Sequence, residues 1–405
     1  MQCDRIACFA AIWIDICRLH RIQHSEAIAV KITAVEVQST KIPVVRAHQM
    51  AIGTTNFQEN VVIKMHTDEG IFGIGEAPHM VGHSQLGETP HTVRVILRHK
   101  LIPAILGLDP FNQEALIIAL NRAVPGNQRA KGALVMAAYD VVGKALNTPV
   151  YNLLGGKVRD SVPLSWSLPI VDVKTAVTEG EEMVKRGWRI LKVKIGRKSP
   201  EEDVEMVRAL RHAVGETISI RADANQAYDL KTALRVTEAM APYRLDFMEQ
   251  PVHMDDLDGM AEITRQSPVP IMADESAKSL ESLAAIAQRR AADYVSIYII
   301  GPGGLTNSKK MASLAQAYRM RGYVGGALES VIGASAGLHL AASSPSIDLG
   351  CEMSGQYLLR EDIGTEPITM VDGDFVLSDR PGLGVELNEM QLAKYREGEV
   401  ERISS

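Results

Sequence analysis

Leu191-Lys192-Val193-Lys194-Ile195, Ile220-Arg221-Ala222-Asp223-Ala224-Asn225, Phe247-Met248-Glu249-Gln250-Pro251 and Ile271-Met272-Ala273-Asp274-Glu275-Ser276 decide the fold. Each is a short, mostly apolar run, as a strand buried on both faces requires. Stretches of helical periodicity separate them, and that alternation means a parallel sheet. Asp223, Glu249 and Asp274 stand at the C-terminal ends of their runs, 26 and 25 residues apart, one per βα unit. In a closed βα barrel those ends converge on one mouth. Three carboxylates there repel one another unless a cation sits between them. Oxygen donors with neither His nor Cys favour a hard ion, Mg²⁺ first and Mn²⁺ second. A plainer reading has each carboxylate capping the helix that follows. Three in phase behind a Lys-x-Lys strand favour the metal.

The same pieces carry a resemblance, together with Asn225-Gln226, Gly325-Gly326-Ala327-Leu328-Glu329-Ser330 and Gly350-Cys351-Glu352. From about Ile32 to its end the chain resembles the enolase superfamily, in the muconate lactonizing (muconate cycloisomerase) subgroup of the mandelate racemase/muconate lactonizing enzyme family. The motif set is specific for the superfamily and much less so for the reaction. The resemblance implies an α/β architecture, a modified TIM barrel (β/α)7β with an α+β N-terminal capping domain. It also implies a homo-oligomer.

At 405 residues the chain is too long for one ordinary domain. The expected division is a capping domain over residues 29–155, a barrel over 156–360 and a C-terminal segment, 361–405, that returns to the capping domain. With 46% hydrophobic and 23% charged residues it has the composition of a globular protein with a substantial core. A net charge of -6 without a basic run argues against nucleic acid as a partner. Cys3, Cys8, Cys17 and Cys351 form neither a disulfide nor a zinc pattern, so a reducing cytoplasm is expected. Residues 1–28 contain a short apolar run, Cys8 to Ile14, too short to span a bilayer and broken by Asp15. They read as an N-terminal extension or as the product of a start codon called too early, the latter preferred.

Alternating residues from Ile32 to Val37, Asn60 to Thr67 and Ile71 to Glu76 predict a small antiparallel sheet, with Asp68-Glu69-Gly70 as a turn. Between its first two strands a loop over Ile42–Met50 is expected. By resemblance it closes over the mouth, so that Arg46 and His48 face a substrate anion or are simply solvated. Helices are predicted over 92–106, 112–120 and 130–147, the last small and apolar enough to pack between domains. Eight barrel strands follow at about 162–167, 190–195, 218–223, 245–249, 271–274, 294–298, 323–327 and 347–349. Asp255, Ser279 and Thr306 are expected to cap helices. Phe375-Val376-Leu377 and Pro381-Gly382-Leu383-Gly384 suggest a return to the first domain.

A proton α to a carboxylate is barely acidic, because its removal puts a second negative charge on an anion. A bound Mg²⁺ would stabilise the resulting enediolate, and the superfamily pairs it with a Lys or His base. Lys192 and Lys194 are two apart on one strand and point the same way. By resemblance Lys194 is the acid/base and Lys192 its electrostatic partner, with Asp223, Glu249 and Asp274 as metal ligands. Asn225 and Glu275 stand behind the ligands. Glu329 and Glu352 lie near the mouth, Glu329 for catalysis and Glu352 for substrate. Related epimerases and cycloisomerases carry a second lysine on strand six, 24 residues beyond the last ligand; here that position is Tyr298. A phenol is a poor base at neutral pH, so two-base racemisation loses support, and Tyr298 is left to orient substrate or to pack. No His-Asp dyad is apparent, and His339 falls in an apolar helical stretch as a structural residue. Cys351-Glu352-Met353-Ser354-Gly355 lacks the Asp-x-Asp that grips a dipeptide ammonium. A small carboxylate is the expected substrate, lactonised as a muconate. The alternatives are dehydration of a hydroxy acid, amino-acid racemisation, or a metal-binding scaffold without activity.

Overall fold

In a computed structural model, which describes residues 30–80 and 87–404, the chain forms an antiparallel sheet joined to a parallel barrel. The extension 1–28 lies outside the described residues. Ile32–Met50, Gly53–Thr67 and Phe72–Met80 form a meander, and Arg396–Ser404 adds to its first strand as the fourth member. The expected loop over Ile42–Met50 is instead the far half of a 19-residue strand. Its pairing with the second strand breaks register between Pro43 and His48, where proline withholds a ladder donor, and resumes up to Met50 opposite Gly53. The hairpin therefore reaches out as a paired arm. Gln49 accepts from the Ile170 amide at its tip, beside the first barrel strand.

The barrel strands are Ser165–Leu168, Ile190–Lys194, Ser219–Asp223, Met248–Glu249, Ile271–Ala273, Tyr294–Ile297, Arg321–Val324 and Ile347–Cys351, hydrogen-bonded in that order. A parallel bridge from Leu164 to Cys351 joins the eighth to the first. Seven helices link them, and after strand eight only the short helix Gly355–Leu358 precedes the tail, giving the (β/α)7β pattern. The run expected as strand one is split. Ser161–Pro163 pairs with Asp374–Val376, so Phe375 closes on the barrel lead-in and not on the first domain. The return to the first domain is made by Leu383, whose amide donates to Asp140, and by the strand Arg396–Ser404.

Two helix caps also differ. Asp256, one residue later than Asp255, accepts from the Gly259 amide, and Gly304 is the cap where Thr306 was expected. Thr306 lies inside the helix with its hydroxyl committed to Tyr139 at 3.0 Å. Ser279 caps as expected, in a reciprocal box with Ser282.

The helix Gln128–Ala145 is buried along almost its whole length and sits between the two parts. On one side it runs so close to the third strand that a Cβ at Gly75 would lie 2.2 Å from the Ala133 carbonyl oxygen; on the other, Gly132 faces Ile300 of the barrel. Beside it Glu76, wholly buried, leaves the first sheet and accepts from Ser330 Oγ (2.6 Å) and the Gly333 amide (3.0 Å) at the start of the helix Val331–Ser343. Burial pushes its carboxyl up to about 8, against the hydrogen bond from Ser330. An acid with a raised folded pKa binds a proton that the unfolded chain has already lost. That stabilisation is whole below about pH 4.5 and declines as pH rises toward 8. Glu76→Gln is therefore expected to gain about 3–5 kcal/mol on the wild type between pH 4.5 and pH 9. Urea unfolding of both proteins across that range measures it, and parallel curves would refute the raised pKa.

Candidate active site

Adjacent strands bring the expected residues together. Lys194 is level with Asp223 across strands two and three, and Asp223 with Glu249 across three and four. Asp274 follows strand five directly. These four side chains and Lys192 are buried, each under 8% exposed, inside the mouth. Lys192 Nζ lies 3.0 Å from Glu249 Oε2 and 3.3 Å from Asp223 Oδ2, and also pairs with Glu352. Lys194 Nζ donates to Asp223 Oδ2 at 2.5 Å. Below them Lys192 rests over the Tyr323 ring, and Arg221 covers that ring and Phe247.

The electrostatics are those of crowded carboxylates. Burial acts to raise Asp223, but the ammonium groups of Lys194 and Lys192 outweigh it and hold the residue well below the usual range. Burial and the neighbouring Asp223 push Glu249 far up, and burial with Glu275 and Asp223 does the same to Asp274. Glu275 is raised to about 7 by burial and Asp223, while Asn225 Nδ2 donates to it at 3.2 Å. Burial opposes the charged form of both lysines, yet the surrounding carboxylates keep Lys192 well above, and Lys194 above, an ordinary lysine.

Among the described residues no three or more Asp, Glu, His or Cys side chains are gathered closely enough to hold an ion as they stand. The reason is visible: the Lys192 ammonium sits between Asp223, Glu249 and Glu352. Asp274 Oδ1 and Asn225 Oδ1 are nonetheless buried with no hydrogen-bond partner, an arrangement that costs free energy unless something is there to be bound. Two lysines also face five carboxyl groups, Asp223, Glu249, Asp274, Glu275 and Glu352. An all-oxygen set with more carboxyl groups than ammonium groups and with orphaned oxygens fits Mg²⁺ or Mn²⁺.

Four of the ten non-glycine residues with positive φ among the described residues stand at the same mouth. Asn225 (φ 41°), Gln226 (φ 69°), Gln250 (φ 34°) and Leu328 (φ 57°) all adopt the left-handed region without being glycine. Such residues cluster where function over-determines the chain. Gln250 uses its strain productively, for its Oε1 accepts from the Asp274 and Ser276 amides at 3.0 and 3.1 Å and fixes the strand-five exit.

Comparison with known proteins agrees with this architecture. Residues 29–155 match the mandelate racemase/muconate lactonizing enzyme N-terminal domain, and 175–391 match the enolase C-terminal domain-like family. The chain belongs to the muconate lactonizing enzyme subgroup of the enolase superfamily. Chloromuconate cycloisomerase CbnB of Cupriavidus necator is 33% identical over 90% of this chain and 99% of its own. N-succinyl-L-Arg/Lys racemase of Bacillus cereus is 34% identical over 89% and 96%. The muconate lactonizing enzyme of Pseudomonas fluorescens, solved with muconolactone, superposes with a TM-score of 0.89 at 34% identity over 91% of this chain and all of that one.

Within this enolase-superfamily enzyme, Tyr298 stands just past the end of strand six and donates to Asp274 Oδ2 at 3.3 Å. Burial, then the charges of Asp274 and Glu249, push its phenol well above the ordinary value, so it stays protonated. The ring fits because strand seven continues into Gly325, where a Cβ would lie 2.5 Å from the ring. Glu329 is buried, accepts from the Ala327 amide at 2.8 Å and is pushed up to about 7 by burial against that bond. Arg46 is committed elsewhere than to open solvent. It pairs with Glu179 (2.6 Å), donates to the Ser167 carbonyl (2.8 Å), meets His48 Nδ1 at 3.1 Å and covers Trp166, latching the hairpin to strand one. His48 is buried with Nε2 3.4 Å from Ser167 Oγ. His339 is structural as expected: it lies in a buried helix between the Tyr151 amide and the Leu383 carbonyl. Sequence reasoning missed Arg129, buried beside Glu88 and within electrostatic reach of Glu329 and Tyr298. Its only signal in the sequence is a charged residue at the head of a largely small and apolar helical stretch.

Proposed function

We propose that this protein is a Mg²⁺-dependent isomerase that lactonises a muconate-type diene dicarboxylate, with one lysine as its proton donor. The observation that carries the reading is the asymmetry of the mouth. Lys192 and Lys194 stand on one face, while the strand-six position holds a protonated phenol. Asp223, Glu249 and Asp274 would hold the ion, which when bound supplies fixed positive charge for a substrate carboxylate as negative charge builds on it. Lys192, fixed among carboxylates, adds a second positive charge to the same region. One carboxylate oxygen of the substrate adds to the far double bond, closing the lactone ring and leaving an enolate at the carbon next to the other carboxylate. Lys194 gives its proton to that carbon and regains one from solvent. Tyr298, a donor that does not lose its proton, orients substrate and cannot exchange protons on the opposite face. Two-base racemisation needs a base on each face, so with Tyr298 in the strand-six position the likeness to an N-succinyl amino-acid racemase gives that chemistry less support. Glu329, Glu352 and His48 are proposed as further groups toward substrate, with Asn225 and Glu275 supporting the ligands. A reducing cytoplasm and a homo-oligomer remain part of the proposal.

The test is loss of the conjugated-diene absorbance of cis,cis-muconate in D₂O with Mg²⁺. Expected is metal-dependent loss, stopped by EDTA, with a single deuterium set stereospecifically in the lactone. An unchanged absorbance at high enzyme concentration would overturn the muconate reading and favour dehydration of a hydroxy acid by the same lysine.

A further inference from the structure

The first sheet reaches the loop after strand seven at two points. Gln58 and Asn60 on the second strand and Glu76 on the third are polar yet wholly buried. Gln58 Nε2 donates to the Ala327 carbonyl at 3.1 Å and to Asn60 Oδ1 at 2.9 Å. Asn60 Nδ2 in turn donates to Glu76 Oε2 at 3.4 Å. Glu76 completes the chain by accepting from Ser330 Oγ and the Gly333 amide, while Ser330 caps the helix through the Ile332 amide. The loop is thus held at Ala327 on one side and at Ser330 and Gly333 on the other. Between the two holds lie the strained Leu328 and Glu329, whose carboxylate turns back on the Ala327 amide. A leucine in the left-handed region persists only where its surroundings over-determine it. Within the loop Glu329 bonds the Ala327 amide and Ser330 caps Ile332, and Asp362 of the C-terminal segment accepts from the Val331 amide at 3.1 Å; the buried polar groups of the first sheet add the holds on either side of Leu328. Such a network is retained at a desolvation cost, which a role in fixing one conformation explains.

We propose that Gln58 and Glu76 are positioning residues, a two-point clamp from the capping domain that holds the Leu328–Glu329 step and thereby aims Glu329 at the mouth, where its carboxylate and the Glu352 carbonyl flank Gly326. This rests on reading the mouth as the active site. The clamp acts through Glu329 and touches no substrate itself. Glu76→Gln keeps both holds on the loop, its oxygen accepting from Gly333 and its amide donating to Ser330 Oγ, and gives up only the 3.4 Å bond from Asn60 Nδ2, whereas Glu76→Ala and Gln58→Leu each remove one hold.

Amide hydrogen exchange over residues 326–334 reads the clamp without any substrate. Both removing variants are expected to raise exchange there by about tenfold or more while the other barrel strands keep their protection. Glu76→Gln is expected to restore it. On the diene, Glu76→Ala is expected to lower kcat about tenfold with little change in KM, and to cost nothing further in a Glu329→Gln background, as one shared path requires. Unchanged exchange, additive losses with Glu329→Gln, or local loosening with full turnover would each overturn the clamp. Should Glu76→Ala not fold, Gln58→Leu carries the same outcomes. A wild type that does not consume the diene sinks the muconate reading alone, and the exchange data still decide the clamp.

Discussion

Lys194→Ala is expected to lower kcat on the diene by about 10³-fold or more, the upper part of the range for a lost general acid. The side chain is buried, its ammonium 2.5 Å from Asp223. Neither Lys192 nor Tyr298 is placed to take over the proton transfer. Lys192 is pinned among Glu249, Asp223 and Glu352, and Tyr298 keeps its proton. Asp223 would retain Lys192 and the Asn225 amide at 3.0 Å, so the fold is expected to survive and KM to change little. Stopped-flow absorbance with a circular dichroism control measures both. A variant within tenfold of the wild type would remove Lys194 from the chemistry.

Much of this was legible before any coordinates, because a buried parallel sheet imposes a strong local pattern. The runs ending at Asp223, Glu249 and Asp274 are apolar for lack of a solvated face, and one charged residue at the end of each is conspicuous for the same reason. What stayed hidden depends on distant contacts. Ile42–Met50 reads as a loop because Pro43 interrupts its pattern, yet pairing with Gly53–Gln58 and the Arg46–Glu179 latch make it strand. Asp256 and Asp255 are indistinguishable as caps by residue type. Glu76 follows Ile74 and Gly75 like any solvated strand end, and only the helix Val331–Ser343 laid against it makes it a buried cap. Tyr298 was visible as a departure, but that its ring fits depends on Gly325, on the next strand.

Lys192→Met is expected to destabilise the metal-free protein by about 3–5 kcal/mol, the range for breaking a buried ion pair by removing one partner. Lys192 is 1% exposed and sets its one positive charge among three carboxyl groups, two of them as buried as itself. Methionine fills nearly the same volume over Tyr323, so packing contributes little to the loss. The Glu249 and Glu352 carboxylates would then face each other and Asp223 without a cation. In EDTA they must take up protons or stay charged and uncompensated, and either destabilises the fold near neutral pH. Millimolar Mg²⁺ is expected to return a large part of the stability, because an ion that binds the folded carboxylates stabilises them by mass action. The recovery should exceed that of the wild type, whose lysine competes for the same oxygens. Guanidinium unfolding of both proteins, with and without Mg²⁺, reads the effect without turnover. Equal losses in EDTA and in Mg²⁺ would mean that these carboxylates do not gather a cation, and the site would then have to do its chemistry with its lysines alone.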